Sequence, residues 1–515
     1  MRQRLRLAGA SAAAALALVL TLSAQGAPFD SAQGAPQRAD ADIQLQFGNL
    51  LFKDGRYLEA IDAFRRALAL SRAEGATAAP HVAVPSATGL VTSLLRVGEF
   101  RDAFAEAETA VRDHPRSAEV RSIYGDTLWA LGRFEESENA QRDALAIDPD
   151  LARGRHGLAR VLAARSRLDE AITSAQAALR AFPTEGEYQY TLGAIYQRMN
   201  QFEAAAAAFE NYVNLLPNRD KSEKAAWARA QVRFLRSFDD RHPLEVVSDS
   251  GIHVVPFRLV RDKVVVKARV NGGDYRDFVL DTGAEMTIVS QQFASRAGVK
   301  AVTYVKSAGV GEAGWRGLQV GSIDRLQIGT MTITNVPCLI KNPPLQGMPT
   351  REAEAFSPLV LGMSMTIDYR LRLLTFGASL PRRSDALDLP LWLHRLAMVQ
   401  GLVNNSHRAN FVVDTGGEVI SISQSTAGLL PPPGGRRIAL KVYGTSGWDP
   451  DAFLMPNVDL AFQRLLMPKT AVVVLNLEAP SALLGFQLGG IVGHQFLSRY
   501  TVTIDLERST LSLSN

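Results

Sequence analysis

A seven-residue segment occurs twice, with small changes, in the second half of the chain. Phe278 to Ala284 reads FVLDTGA, and 133 positions later Phe411 to Gly417 reads FVVDTGG. At the same offset, Val266 to Asn271 (VKARVN) matches Val399 to Asn404 (VQGLVN). Short β-branched runs separated by Gly and Asn are typical of strands and hairpins. The duplication therefore predicts an all-β region built from two homologous lobes.

These lobes are predicted to be β-barrel-like and to span residues 250–378 (lobe 1) and 388–515 (lobe 2). Between them, Gly377 to Asp388 contains Pro-Arg-Arg-Ser-Asp, a composition typical of a solvated linker. The organisation of this half is thus a bilobal all-β unit carried on one chain.

A second glycine motif is expected to close each lobe. Pro358 to Gly362 (PLVLG) is matched to Gly490 to Gly493 (GIVG) at an offset of 131. Only five residues then separate Gly362 from Asp368, against eleven between Gly493 and Asp505. We therefore expect lobe 1 to lack the short helix that would follow this glycine in lobe 2.

The two Asp-Thr-Gly triplets are the candidates for chemistry. A single triplet is weak evidence, because Asp and Gly are common in turns. Here each triplet lies between two apolar runs, where a carboxylate is costly unless it is paired and hydrogen-bonded. Two such carboxylates at matched positions, Asp281 and Asp414, indicate a functional pair.

Residues 252–513 resemble aspartic peptidases of the retropepsin and pepsin kind. The resemblance lies in the order of the motifs in each lobe: apolar-Asp-Thr-Gly, then a Gly-rich segment, then apolar-apolar-Gly. The resemblance implies that Asp281 and Asp414 meet between the lobes and hold a water. One carboxylate would act as general base and the other, protonated, would donate to the scissile carbonyl. Since two close carboxylates cannot both ionise, the pair should titrate as a unit.

The resemblance also assigns roles to the residues after each aspartate. Thr282 and Thr415 would hydrogen-bond across the lobe interface. Gly283 and Gly416 would let backbone amides approach the carboxylates. Pepsins usually carry Ser or Thr after the triplet, whereas this chain departs from that pattern with Ala284 and Gly417. Losing those hydroxyl donors predicts a less acidic optimum than pepsin's.

A flap over the cleft is predicted between the triplet and the second glycine motif. Residues 309–314 (GVGEAG) formally match a dinucleotide-binding pattern, but no βαβ unit follows, so that interpretation is rejected. The flap and cleft candidates are Gly309, Gly311, Trp315, Gly444 and Trp448. The two tryptophans either line the cleft or are ordinary core aromatics. His494, which follows Gly493, is expected to have a packing or surface role and no part in catalysis.

The first half carries a different repeat. Four prolines, Pro115, Pro149, Pro183 and Pro217, are each 34 residues apart within an Ala-, Leu- and Glu-rich helical pattern. This is the period of tetratricopeptide repeats. We predict an all-α solenoid over residues 40–238, with about five repeats and a polar capping helix. Its concave surface is expected to bind a protein partner; the alternative is a stabilising platform for the second half.

The N-terminus predicts export. Residues 1–27 combine a basic N-terminal region, an apolar stretch and small residues suited to a cleavage site, which is the layout of a signal peptide. The expected location is periplasmic or extracellular. The alternative is an uncleaved segment that tethers the protein to the membrane.

Composition narrows the function further. The 56 basic and 52 acidic residues are mixed along the chain, so no nucleic-acid partner is expected. One cysteine, Cys338, cannot form an intramolecular disulfide, and the eight histidines lack ligand-like spacing, so neither metal nor cofactor is predicted. The prediction is an exported aspartic endopeptidase acting on peptides or proteins. The alternatives are a non-catalytic peptide-binding scaffold and a repeat-led assembly factor.

Overall fold

A computed structural model describes residues 35–73, 80–247, 251–311, 315–341, 354–432, 438–444 and 446–515. The signal peptide predicted at residues 1–27 lies outside the described residues. So does the membrane tether that depends on it. In the part of the chain that the structure describes, no helix is both long and apolar enough to cross a membrane.

The first half is helical, as the 34-residue period predicts. Within the described residues, five helix pairs are followed by a last helix, and the elements are α1 (Ala35–Lys53), α2 (Tyr57–Ala73), α3 (Pro80–Val97), α4 (Phe100–Asp113), α5 (Ala118–Ala130), α6 (Phe134–Ile147), α7 (Ala152–Ala164), α8 (Leu168–Ala181), α9 (Gly186–Arg198), α10 (Phe202–Leu215) and α11 (Glu223–Arg236). Small residues lie where helices approach: Ala171 and Ala205 are fully buried. Because no side chain projects far from these positions, successive helices can pack closely.

The concave side of this array is crossed by its own side chains. Arg96 at the end of α3 forms an ion pair with Glu187 at the start of α9. The Asn218 side-chain amide also donates to the Asp54 carbonyl at 2.8 Å, joining the last helix pair to the first. Since stacked pairs contact their neighbours, a bridge that skips two pairs must run through the inside of the curve. The concave surface that the sequence predicts as a binding site for a partner is therefore partly occupied by the array's own side chains.

The second half is all-β with short helices. Its elements in lobe 1 are β1 (Glu245–Val247), β2 (Ile252–Pro256), β3 (Arg258–Val260), β4 (Lys263–Val270), β5 (Arg276–Leu280), β6 (Thr287–Ser290), α12 (Gln291–Arg296), β7 (Lys300–Ala308), β8 (Trp315–Ile328), β9 (Met331–Lys341), β10 (Glu354–Phe356), a 3-10 turn (Leu359–Leu361), β11 (Ser364–Asp368) and β12 (Leu373–Gly377). Those in lobe 2 are β13 (Leu387–His394), β14 (Leu396–Val403), β15 (His407–Val413), β16 (Ser421–Ser423), α13 (Gln424–Ala427), β17 (Ile438–Ala439), β18 (Val442–Gly444), β19 (Gly447–Asp449), β20 (Phe453–Phe462), β21 (Leu465–Leu475), α14 (Glu478–Leu484), β22 (Gly490–Val492), α15 (His494–Leu497), β23 (Thr501–Asp505) and β24 (Thr510–Ser514).

Each lobe closes into a barrel with the same strand circuit. In lobe 1 the pairing runs β9-β6-β10-β5-β4-β8 and returns to β9; in lobe 2 it runs β21-β16-β22-β15-β14-β20 and returns to β21. The register repeats as well, since Val266 pairs with Phe278 and Val399 pairs with Phe411. The fold class predicted from the sequence, a helical repeat array followed by a bilobal β unit, is confirmed.

Strands from both lobes share one sheet beneath the barrels. Its order is β13-β24-β23-β11-β12-β2, so β11 of lobe 1 pairs with β23 of lobe 2. The pairing Met365 with Ile504 joins buried residues on one face of this sheet. Burying both strands fixes the two barrels side by side and brings the ends of β5 and β15 together.

The match proposed for the second glycine motif is wrong. Gly490 to Val492 pairs with β15 as Glu354 to Phe356 pairs with β5, an offset of 136 and not 131. Ser357, not Gly362, therefore takes the place of Gly493. The 3-10 turn Leu359–Leu361 then corresponds to α15, so the short helix expected to be missing in lobe 1 is present before Gly362. Glycine identity pairs Gly362 with Gly493, whereas strand pairing places Ser357 opposite Gly493.

The helical array packs directly on both lobes. Trp129 and Phe134, at the turn between α5 and α6, form one apolar cluster with Trp392 and Phe486 of lobe 2. This turn comes so close that a Cβ on Gly132, where φ is +71°, would lie 1.8 Å from the Asn410 amide nitrogen of lobe 2. At the other end, the cluster of α10 and α11 encloses Val320 of lobe 1; its array members are Phe202, Ala205, Ala206, Phe209, Phe234, Leu235 and Phe238. The array therefore spans both lobes.

Candidate active site

Asp281 and Asp414 leave equivalent strands at the lobe interface. Asp281 follows β5 and its backbone N–H donates to the Phe356 carbonyl at 3.0 Å. Asp414 follows β15, and its N–H donates to the Val492 carbonyl at 3.1 Å. Each aspartate thus leaves its strand beside a short parallel neighbour, β10 or β22, which holds the loop in place.

The two threonines bind each other's loops in a reciprocal pattern. The Thr282 N–H donates to the Thr415 hydroxyl at 3.1 Å, and the Thr415 N–H donates to the Thr282 hydroxyl at 3.0 Å. Each hydroxyl then donates onward to the opposite strand: Thr282 to the Val413 carbonyl at 2.6 Å and Thr415 to the Leu280 carbonyl at 2.8 Å. Both side chains are fully buried. Both hydroxyls and both backbone N–H groups are satisfied, so this crossed network fixes the spacing of the loops.

The glycines make room for the carboxylates. Gly283 N–H donates to Asp281 Oδ1 at 2.9 Å, and Gly416 N–H donates to Asp414 Oδ1 at 2.8 Å. A Cβ on Gly283 would lie 2.5 Å from the carboxyl carbon of Asp414, and one on Gly416 would lie 2.7 Å from that of Asp281. Each glycine therefore touches the carboxylate of the other lobe, and no other residue fits there.

The paired carboxyls are strongly coupled. Burial, the negative charge of Asp414 and a hydrogen bond between the two side chains raise the pKa of Asp281 to about 7. Burial also raises the pKa of Asp414, but backbone N–H groups of Gly417 and Gly416 and the nearby Lys263 oppose that rise. The two carboxyls therefore share one proton and titrate as a pair.

Two hairpins reach across the interface to these loops. Arg395, between β13 and β14 of lobe 2, donates from Nε to Glu285 Oε2 of lobe 1 at 2.8 Å. Lys263, at the start of β4 in lobe 1, donates to the Gly416 carbonyl of lobe 2 and lies 3.7 Å from Glu418. Sequence reasoning missed all four side chains. The sequence does contain a signal for the two glutamates, because Glu285 and Glu418 follow the triplets at the same 133-residue offset.

The flap candidates of the two lobes meet at their tips. Gly309 N–H of lobe 1 donates to the Ser446 hydroxyl of lobe 2 at 3.0 Å, and Ser446 N–H donates to the Val310 carbonyl at 3.0 Å. A Cβ on Gly311 would lie 2.3 Å from the Ser446 carbonyl carbon, and one on Gly444 would lie 2.3 Å from the Val310 carbonyl oxygen. The structure therefore brings Gly309, Gly311 and Gly444 together in one contact between the lobes.

Of the two tryptophan candidates, the structure describes the side chain of Trp448 only. Trp448 of β19 is half-buried and its ring lies 5.2 Å from that of Tyr443 in an edge-on arrangement. The side chain of Trp315 lies outside the described residues. His494, which was given no catalytic role, is buried with its ring 5.3 Å from Tyr369, and burial lowers its pKa.

Separate family models match a segment in each half of the chain. Residues 266–366 match a family described as gag-polyprotein putative aspartyl protease, which includes Asp281 but not Asp414. Residues 41–74, 88–152 and 156–223 match tetratricopeptide repeats. A curated relative, DNA damage-inducible protein 1 of Yarrowia lipolytica, is 39% identical over 71 residues, which are 13% of this chain and 18% of that protein. The chain thus spans less than a fifth of that relative's length.

Solved structures are similar to the helical half. TTC0263, a thermophilic tetratricopeptide-repeat protein of Thermus thermophilus, is 21% identical, with a TM-score of 0.31 over 37% of this chain and 98% of that one. YrrB, a repeat protein with an unusual peptide-binding site, is 19% identical, with a TM-score of 0.23 over 38% of this chain and 93% of its own. PilF of Pseudomonas aeruginosa is 17% identical, with a TM-score of 0.27 over 40% of this chain and 95% of its own.

Proposed function

Because this chain joins tetratricopeptide repeats to an aspartyl protease domain, we propose that it is an endopeptidase whose catalytic residues are Asp281 and Asp414. The observation that carries the proposal is the reciprocal arrangement of the two loops. Each lobe supplies one carboxylate, one crossed threonine and one glycine that touches the opposite carboxylate. A buried pair of carboxyls sharing one proton is the arrangement needed for combined general acid and general base catalysis.

The backbone N–H groups of Gly416 and Gly417 and the charge of Lys263 favour the ionised form of Asp414, which supports the following roles. Asp414, ionised, takes a proton from a water as the water oxygen attacks the peptide carbonyl carbon. Asp281, protonated, donates its proton to the carbonyl oxygen, so a neutral gem-diol forms. Asp414 then protonates the leaving nitrogen while one diol hydroxyl returns its proton to Asp281, and the C–N bond breaks. The dyad ends in the protonation state in which it began.

The substrate in this proposal is an extended polypeptide bound between the lobes. The hydrogen bonds from Gly309 and Ser446 join the two hairpin tips, so the tips must part to admit a chain and can close again over it. Cleavage within a chain, not only at its ends, follows from a site that is built between two lobes and has a cover contributed by each.

Export and partner binding are further parts of the proposal. The basic and apolar start of residues 1–27 supports secretion to the periplasm or the exterior, with a membrane tether if this segment is retained. Tetratricopeptide repeats generally mediate protein-protein contacts, which supports a protein partner for the array. Because the Arg96–Glu187 ion pair crosses the concave side, a partner there would have to displace it.

The test is cleavage of a diverse peptide library by the purified chain, beside Asp281→Asn and Asp414→Asn, at several pH values. We expect internal cleavage by the unmutated protein and its loss in both variants. Cleavage that survives either substitution would place the chemistry elsewhere. If the unmutated chain binds peptides without cleaving them at any pH, the non-catalytic peptide-binding scaffold would replace the proposed endopeptidase.

A further inference from the structure

The hairpin between β13 and β14 connects the helical array to one catalytic loop. Its tip is the single residue Arg395, since His394 pairs directly with Leu396. Arg395 has a φ of +62°, a left-handed conformation that is uncommon for a residue other than glycine. Its guanidinium donates to Glu285 at 2.8 Å and to the Leu483 carbonyl at 3.0 Å. The tip therefore has one defined side-chain position, and it binds the loop four residues beyond Asp281.

The array holds this hairpin from the other side. Arg198, at the end of α9, donates to the Leu393 carbonyl at 3.0 Å. The Trp129 ring lies 5.3 Å from the His394 ring and nearly perpendicular to it. Arg165 stacks over Trp392 with its guanidinium carbon 4.9 Å from the ring centroid. These three array contacts fall on consecutive residues of β13, immediately before Arg395.

A second route runs to the same loop. Met286 follows Glu285 and packs against the apolar cluster of α10 and α11, whose members include Phe209 and Phe234. Glu285 itself is 29% exposed and Arg395 24% exposed, so their ion pair is largely shielded from water. A shielded pair holds its geometry more firmly than a solvated one, because breaking it leaves a charge without compensation.

We propose that the tetratricopeptide array positions the Asp281 loop through this hairpin, with Arg198 and Trp129 as positioning residues that act through Arg395 and Glu285. The inference rests on the proposed peptidase function and adds a role for the repeats. Neither Arg198 nor Trp129 touches the carboxyl pair; their effect is to hold the segment whose guanidinium binds Glu285. The array is thus part of the catalytic unit, and the loop that it supports carries the protonated aspartate.

The test is a double-mutant cycle in the full chain with Arg198→Ala, Glu285→Gln and the double variant, assayed for kcat and KM on a peptide that the unmutated protein cleaves. If Arg198 acts through Glu285, each single variant lowers kcat by about tenfold or more with a smaller change in KM, and the double variant loses little beyond Glu285→Gln. Arg198→Lys, which keeps a donor for the Leu393 carbonyl, should recover part of the loss. Arg72→Ala, which removes an exposed ion pair with Asp113 in the first repeats, is the matched control and should stay within about twofold.

A second measurement does not depend on cleavage. Hydrogen exchange of the backbone amides at residues 281–286 should become about tenfold faster in Arg198→Ala but not in Arg72→Ala, because the loop loses its support. Unchanged exchange together with additive losses of kcat would overturn this inference and leave the proposed peptidase intact. Absence of cleavage by the unmutated protein would instead overturn the proposed function, and unchanged loop exchange would then remove the positioning role as well.

Discussion

The two lobes have the same strand circuit and the same crossed threonines, yet their aspartates lie in different surroundings. In lobe 1, Asp281 accepts from one backbone N–H, that of Gly283, and its pKa rises to about 7. In lobe 2, the N–H groups of Gly416 and Gly417 and the charge of Lys263 all favour the ionised form of Asp414. The comparison shows that the same triplet can lie in two different electrostatic surroundings.

The ion pairs beside the two aspartate loops also differ in how far they are exposed to water. The Arg395–Glu285 pair beside lobe 1 is shielded, with side chains 24% and 29% exposed. The Lys263–Glu418 pair beside lobe 2 is 23% and 68% exposed. The first pair lies next to residues contacted by the array, so packing of the repeats excludes water there. The two ion pairs thus differ mainly in the exposure of the glutamate.

The largest expected effect tests whether the aspartates are equally necessary. Asp281→Asn and Asp414→Asn should each lower kcat by about 10³-fold, because the reaction needs both an acid and a base. Single-turnover assays on purified variants with the same far-UV spectrum would measure it. A residual rate above about a tenth of the original in either variant would contradict the shared-dyad mechanism.

The next effect separates the two cationic supports. Arg395→Ala should lower the free energy of unfolding by about 2 kcal/mol or more, since it leaves Glu285 shielded and unpaired. Lys263→Ala should cost less than about half of that, because Glu418 is mostly solvated and the remaining loss is one hydrogen bond to the Gly416 carbonyl. Urea titrations of both variants give the comparison. Equal losses would show that the difference in exposure has no energetic consequence.

A smaller effect tests the symmetry of the threonine network. Thr282→Val and Thr415→Val each remove two side-chain hydrogen bonds and should each cost about 1–3 kcal/mol of unfolding free energy. The two values should agree within about 0.5 kcal/mol, because the contacts are reciprocal. A much larger loss at one position would mean that the loops are not supported equally.

The smallest expected effect is the pH dependence of stability and activity that arises from the raised pKa of Asp281. The folded-state pKa of Asp281, about 7, lies above its ordinary value of 3.8, so this group's contribution to stability is present below about pH 4 and is lost as pH rises through about 7. Asp281→Asn should therefore raise Tm relative to the unmutated protein at pH 8 and not at pH 4. Activity should also fall above about pH 7, as Asp281 loses the proton it must donate.

Thermal scans and pH-rate profiles measure these two consequences of the same titration. The control is Asp277→Asn, which changes an exposed carboxylate that ion-pairs with Arg258 and Lys267 outside the dyad. A rate profile with its maximum near pH 2 to 3 would contradict the high pKa of the pair.

Much of this architecture could be predicted because it repeats. The 34-residue proline spacing indicated the helix pairs, and the 133-residue offset predicted a lobe register that strand pairing reproduces. The match of Gly362 with Gly493 is wrong because the lobes differ in length between their flaps and β10 or β22. Two glycines at similar positions are therefore not equivalent. Only hydrogen bonding from β5 to Glu354–Phe356 identified Ser357 as the counterpart of Gly493.

What the sequence alone determined is therefore what local pattern and duplication encode: helix pairs, two β lobes, and a carboxylate at the same point of each. The tertiary structure decided the rest. Arg395 meets Glu285 across 110 residues, and Arg198 meets Leu393 across 195. The sites of these contacts carry no periodicity, because they depend on how the array docks against the barrels. The two loops are supported unequally, since both side chains of the Arg395–Glu285 pair are shielded whereas Glu418 of the other pair is 68% exposed.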